Sequence, residues 1–213
     1  MLIVFPGVKQ GPATVTLANG YCVKYTYRDD VLDGPAEYAC HGGRIKERCS
    51  YVAGVKRGPS TEWNERGDEE ERVYVAGVLE GPAILKGAEG DRLEFTYKNG
   101  KRSGAATYWW SDGSKEVSLY DESGVENGPC KLIWANGASR EGEKRDGLWD
   151  GHVFYTYAEG PRKGKKDVEE WKAGELVSSK KYHGDGEEWE VESWDDLKDM
   201  EEATKNYAPC RRL

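Results

Sequence analysis

The stretch Tyr97-Lys98-Asn99-Gly100-Lys101-Arg102-Ser103-Gly104-Ala105-Ala106-Thr107-Tyr108-Trp109-Trp110-Ser111-Asp112-Gly113 places three glycines and four aromatic residues within seventeen positions. Its glycines recur along the chain. Taking Gly104 as the anchor, equivalent residues are Gly11, Gly34, Gly58, Gly81, Gly128 and Gly151, at intervals of 23 or 24 residues. Proline follows five of them, at Pro12, Pro35, Pro59, Pro82 and Pro129. Nine residues after each anchor stands a second glycine: Gly20, Gly43, Gly67, Gly90, Gly113, Gly137 and Gly160. Four residues before it stands a third, at Gly54, Gly77, Gly100, Gly124 and Gly147, with Asp30 in the first case. An aromatic sits seven residues before the anchor at Tyr27, Tyr51, Tyr74 and Tyr97; Tyr120 is displaced by one residue, and Lys144 breaks the rule. A degenerate eighth unit begins at Trp171 with Gly174, after an insertion near 161–166.

A glycine kept at a fixed place marks backbone that needs positive φ or has no room for a Cβ. Two such punctuations per period leave two segments short enough for strands. Asn19-Gly20, Asp112-Gly113 and Asn136-Gly137 are strong hairpin signals, and Val15/Leu17, Tyr108/Trp110, Leu132/Trp134 and Tyr155/Tyr157 show the alternation of a strand. One hairpin is marginal in water, so neighbours must stack. The expectation is an all-β protein: an elongated, single-layer, twisted antiparallel sheet of stacked β-hairpins over residues 1–182. Two strands per repeat at about 4.8 Å spacing make it about 70 Å long.

Composition agrees with folded strands. Mean hydropathy is low at -0.83 and 33% of residues are charged, but there are 8 Trp, 13 Tyr and 3 Phe. Disordered chains are poor in such residues. The net charge of -8 disfavours nucleic acid and anionic lipid as partners. Much of it lies between Asp185 and Glu202, where ten acidic residues accompany one lysine. Five cysteines without a CxxC pair argue against a disulfide framework or a zinc site. The apolar opening Met1–Phe5 is too short for a signal peptide or a membrane span. The expected setting is therefore the reducing cytoplasm, with association to a membrane or an assembly as a variant of it.

The repeat resembles that of the MORN (membrane occupation and recognition nexus) family, whose unit runs Tyr-x-Gly-x-aromatic-x-x-Gly-x-x-x-Gly-x-Gly, then an aromatic and a second turn glycine. The resemblance covers about residues 7–180. The chain departs from the pattern in using Gly-Pro for Gly-x-Gly, in lacking glycine at Asp30 and in lacking the aromatic at Lys144. The Gly-Pro-Ala flavour is similar to the N-terminal MORN segment of SET-domain lysine methyltransferases, without an Asn-His pair or a downstream acidic-Tyr motif to close their cofactor site. The resemblance implies a non-enzymatic scaffold that binds a protein partner or itself, with no cofactor. Alternatives are a membrane- or phosphoinositide-associated module, a regulatory or targeting subunit of a separate enzyme, or a virion structural component of a giant virus.

Residues 183–213 change character. Ser193 and Asp196 read as a capping box, and Trp194, Leu197, Met200, Ala203, Thr204 and Tyr207 recur at helical spacing up to Pro209. A short helix over about 193–207 is expected, closing the array as a cap or docking on a partner. His41, His152 and His183 are scattered, Gly-x-Ser-x-Gly is absent, and Cys40-His41 with Cys49 falls short of a tetrahedral metal site; Cys40 sits at a core position of its repeat. No catalytic, cofactor or metal residues are assigned. Two surfaces stand out. Adjacent strand residues face opposite sides, so one of Trp109 and Trp110 must leave the core; Trp63, Ile133 and Trp134 extend these positions into other repeats as candidate partner contacts. The turn bearing Arg162, Lys163, Lys165 and Lys166 resembles a phosphate loop but lacks its spacing, and remains a candidate contact for anions or lipid.

Overall fold

The computed structural model describes residues 7–182 and 188–189. The chain is all-β and every described strand pairing is antiparallel. It divides into two units, one of Met1–Ser111 with Tyr120–Val125 and the other of Asp112–Leu119 with Glu126–Leu213. In the first unit the long strands are Gly11–Thr16, Cys22–Arg28, Gly34–Ala39, Ile45–Val52, Gly58–Trp63, Glu69–Val75, Gly81–Lys86, Arg92–Lys98 and Gly104–Trp109. Each pairs with the next, giving an open meander. The second unit runs the same way through Gly128–Ile133, Ser139–Arg145, Gly151–Thr156, Lys166–Lys172, Glu175–Tyr182 and Glu188–Trp189. The expected helix over 193–207 lies outside the described residues.

The three glycines of each period do three different things. Gly90, nine residues after its anchor, ends a three-residue turn: its N–H donates to Gly87 O at 3.0 Å, Gly87 N–H donates to Asp91 O at 2.8 Å, and φ at Gly90 is 98°. That is the type I turn with a left-handed third residue, which the Asn-Gly signal had suggested only as a hairpin. The strict two-residue turn is at the other glycine. Ala53 and Gly54 have φ of 50° and 81°, a type I′ turn joining Val52 to Val55. Ala76-Gly77, Asn99-Gly100, Asp146-Gly147 and Ala173-Gly174 repeat it, and Asp29-Asp30 achieves it without glycine. The anchor glycine turns nothing. From Leu79 to Ile84 the chain advances five residues while its partner advances three, from Tyr74 to Glu71. Gly81, at φ 93°, absorbs this bulge and sends the strand on to the next repeat. Pro82 follows on the exposed side, at the beginning of a strand where a missing N–H is tolerated.

One face of each sheet carries the core. Two residues after the anchor sits a small buried side chain: Ala36, Ser60, Ala83 and Ala106 in the first unit, Cys130 and Val153 in the second. Larger residues lean over it, as in the cluster of Ala83, Leu93, Phe95 and Ala106 with Leu85, Tyr97, Tyr108 and Tyr120. Phe95 is the only buried aromatic among the described residues; half-buried aromatic rings on the same face close over the core, as in the edge-to-face pair Phe95–Tyr97 at 4.9 Å. The aromatics are thus the lid of the core more than its interior. Cys40 is half-buried at the start of a turn, where its N–H donates to Arg44 O, and is not a core residue.

Candidate functional site

In both units the inward face is charged as well as aromatic. In the first, Lys56 Nζ meets Glu47 at 2.6 Å, Ser60 donates to the same carboxylate at 3.1 Å, and Arg72 pairs with Glu62 and, at 3.6 Å, with Glu47. Lys56 also lies over the rings of Tyr38 and Tyr74, and Arg72 over Tyr74. Tyr97 donates to Glu70 at 2.8 Å; burial, reinforced by that carboxylate, pushes its phenol up to about 12.

The second unit replaces part of the apolar core outright. Its largest fully buried side chains are Glu169, Val153 and Asp167. Arg140 lies over Trp171, Trp134 and Tyr155 at 5.2, 5.8 and 6.0 Å and reaches Glu169 at 3.3 Å; Trp171 Nε1 donates to the same carboxylate at 2.7 Å. Gly142 makes room for this crowding, because a Cβ there would fall 2.8 Å from Val153 Cγ2 and 2.9 Å from His152 O. Lys144, standing where other repeats have tyrosine, places its ammonium over the Trp149 ring at 5.5 Å and bonds Glu116 at 2.8 Å and Glu126 at 3.2 Å. An ammonium facing two carboxylates is held charged despite desolvation, and its pKa is raised. Beside it, burial pushes the Cys130 thiol up to about 12, so this cysteine stays protonated and inert.

The outward candidates separate cleanly. Trp63 and Trp109 lie on the face opposite the core, whereas Trp110 packs on Tyr108 at 4.6 Å and Trp134 on Tyr155 at 5.3 Å, both on the inward face. Trp110 Nε1 is buried without an acceptor among the described residues. Between Trp63 and Trp109 the cross-strand row reads Glu69, Lys86 and Arg92. Trp63 donates to Glu69 at 3.0 Å, Lys86 meets Glu69 at 3.0 Å, and Arg48 and Arg92 lie over the rings of Trp63 and Trp109. The two tryptophans therefore end a ladder of paired charges and do not form a continuous apolar patch. Ile133, in the second unit, is exposed and pairs across the strands with Ser139 and Lys115. Sequence reasoning missed the inward charges of the second unit, since the carboxylates that meet Arg140 and Lys144 stand 18 to 29 positions away.

The basic turn also divides. Arg162, in a 3-10 turn of Gly160–Arg162, reaches the Tyr157 hydroxyl at 2.6 Å and Asp167 at 3.8 Å. Lys165 is half-buried, and Lys163 and Lys166 are exposed.

Strand, three-residue turn, strand, type I′ turn and glycine bulge, repeated in register, define a β-hairpin repeat protein. Residues 96–115 and 122–139 match the model of the MORN repeat family. These two segments are MORN repeats, and the stretch quoted first lies in the first of them. No curated protein matches the chain.

Proposed function

We propose that the protein is a non-enzymatic scaffold that binds other proteins through the outward face of its repeats. The observation that supports this is the Trp63–Glu69–Lys86–Arg92–Trp109 row. Two indoles at its ends, each overlaid by an arginine, are of the kind that dominate protein interfaces. Strands hold them at fixed separation, which reduces the entropy lost on binding. A lipid surface is a poorer match. Arg162 is turned toward Asp167, leaving Lys163 and Lys166 as the exposed cations of the basic turn, against a net charge of -8. No helix among the described residues is long and apolar enough to cross a membrane. A scaffold working inside the reducing cytoplasm is consistent with the free thiols of Cys22, Cys40, Cys49 and Cys130.

The test is affinity capture from the native source with the full chain as bait. Proteins retained by the wild type should be lost with Trp63→Ala/Trp109→Ala, whose circular dichroism should be unchanged. An identical retained set for both baits would sink this reading, and retention by anionic vesicles that depends on Lys163 and Lys166 would replace it.

A further inference from the structure

Neighbouring turns of the first unit lie on one another. A Cβ on Gly54 would be 3.4 Å from the exposed Val31, one on Gly77 3.1 Å from the exposed Val55, and one on Gly100 3.8 Å from the exposed Val78. A Cβ on Gly124 would be 3.3 Å from Lys101 Cβ. In several repeats such turns are also clipped by a side chain. The residue just before the anchor glycine accepts from the backbone N–H 19 positions on, in the next turn: Gln10 from Asp29 at 2.8 Å, Glu80 from Asn99 at 2.8 Å and Asn127 from Asp146 at 2.9 Å. Asp150 does the same for Ala173 at 3.4 Å. Each acceptor is an acid or an amide. Asp33 is turned instead to Arg28 at 3.6 Å, and Arg57 carries donors only.

At the equivalent place before Gly104 stands Ser103, too short to make the clip. The N–H it would have to meet is that of Glu122, which has no acceptor among the described residues. Glu122 belongs to a turn that departs from the repeat. Gly124 N–H donates to Asp121 O at 3.1 Å and Asp121 N–H to Val125 O at 2.9 Å, a three-residue turn where the sister repeats have two residues. Ser103 and Glu122 share a cleft of about 250 Å³ with Lys98, Asn99 and Lys101, all within the first unit. Both lysines are exposed. Lys98 lies 3.7 Å from the Glu122 carboxylate, which is 92% exposed, and Lys101 meets no carboxylate among the described residues.

We propose that Ser103 is a phosphorylation site, and that its phosphate fills this cleft, held by the Lys98 and Lys101 ammonium groups and the Glu122 N–H. Phosphoserine reaches about as far as glutamate and carries about -1.5 to -2 charge with three acceptor oxygens. It does for this repeat what Glu80 does for its own, and the exposed Glu122 carboxylate yields Lys98 to it. The transferring enzyme is a serine/threonine kinase with an acidic peptide groove. The exposed cations ahead of Ser103 are Lys98 and Lys101, five and two positions before it, while Arg102 lies inward over Phe95 at 4.5 Å. In the transfer, Ser103 Oγ attacks the γ-phosphorus of ATP, the bond from that phosphorus to the β,γ-bridging oxygen breaks, ADP leaves, and the hydroxyl proton passes to the kinase's base. Another serine behind a basic pair, Ser60 after Lys56-Arg57, is 3% exposed and donates to Glu47, out of reach of a kinase.

The test has two arms, both on the full chain. In the first, the folded protein is incubated with ATP and the catalytic domain of cAMP-dependent protein kinase or of protein kinase C, and the phosphate is mapped by mass spectrometry. Ser103 should be labelled, about tenfold or more slowly in Lys98→Ala/Lys101→Ala. Ser103→Ala should lose that label with an unchanged circular dichroism spectrum. In the second, phosphoserine is placed at position 103 during translation, so that no kinase is needed. Amide exchange at Glu122 should slow about tenfold or more. The phosphate should titrate below the value of about 6 usual for phosphoserine, and return to it in Lys98→Ala/Lys101→Ala. A folded chain that neither kinase labels at Ser103, or one labelled there only after unfolding in urea, overturns the proposal. So does phosphoserine at 103 that leaves Glu122 exchange within about twofold of wild type and titrates normally.

Discussion

At the scale of single residues, the chain departs from its own repeat at places with measurable energetic consequences. Ala53 and Ala76 occupy left-handed positions of type I′ turns that favour Asn. Ala53→Asn and Ala76→Asn should each stabilise the protein by roughly 0.5–1 kcal/mol, seen as a higher urea midpoint at constant slope. Lys144 is the opposite case. Its side chain is only 7% exposed, and its ammonium neutralises Glu116 and Glu126. Lys144→Ala leaves two partly buried carboxylates facing each other and should cost about 3–5 kcal/mol in urea unfolding. A loss below about 1 kcal/mol would mean that the pair is effectively solvated. From the sequence, Lys144 was only a missing aromatic. That its ammonium would meet carboxylates from two other segments was not legible, because neither contact is local.

At the scale of the element, adjacent three-residue turns are clipped together by one recurring bond. The residue ten positions after an anchor accepts from the backbone N–H seven positions after the next: Asp68 from Ala88 at 2.9 Å, Asp91 from Ser111 at 2.8 Å, and Ser114 from Ala135 at 3.1 Å. Asp68 is buried, and the Ala88 N–H, with Asn64, holds its carboxyl below the usual range. A depressed folded pKa means that the clip's contribution is complete above the ordinary carboxylate pKa. It is lost as pH falls from there through the lower folded value. Relative to Asp68→Ala, wild type should thus be more stable by about 1–3 kcal/mol at neutral pH, with the gap closing in acid. A gap independent of pH would show that the charge is irrelevant. The glycine of this turn was readable as a hairpin signal. The clip was not, since Asp68 reads in sequence as one more polar turn residue. The Asn-Gly pairs likewise marked the correct hairpins, but the type I′ geometry fell to the other glycine, behind Ala, Asn or Asp.

At the scale of the whole molecule, a repeat array is stabilised by nearest-neighbour interfaces, so damage should stay near its source. Lys144→Ala should raise amide hydrogen exchange in the strands Gly128–Ile133 and Ser139–Arg145 and leave Gly58–Trp63 and Glu69–Val75 nearly as protected as in wild type. A uniform loss of protection across all four strands would instead show a single cooperative block.

The sequence by itself determined the class of fold and the strand-turn-strand path that its glycines punctuate. These follow from local rules: positive φ admits few residues besides glycine, and alternation along a strand assigns its two faces. It also required Trp109 and Trp110 to face opposite sides of their strand. Only the tertiary structure decided that the core of the second unit is Glu169, Asp167 and Lys144 as much as aliphatic carbon, that Arg140 fills a cage of aromatic rings, and that Arg162 turns inward. It also revealed that exposed valines line up from turn to turn. Such facts depend on the register between strands more than a dozen positions apart. A charge is tolerable inside only when its partner arrives at hydrogen-bond distance, and nothing local in the chain announces that partner.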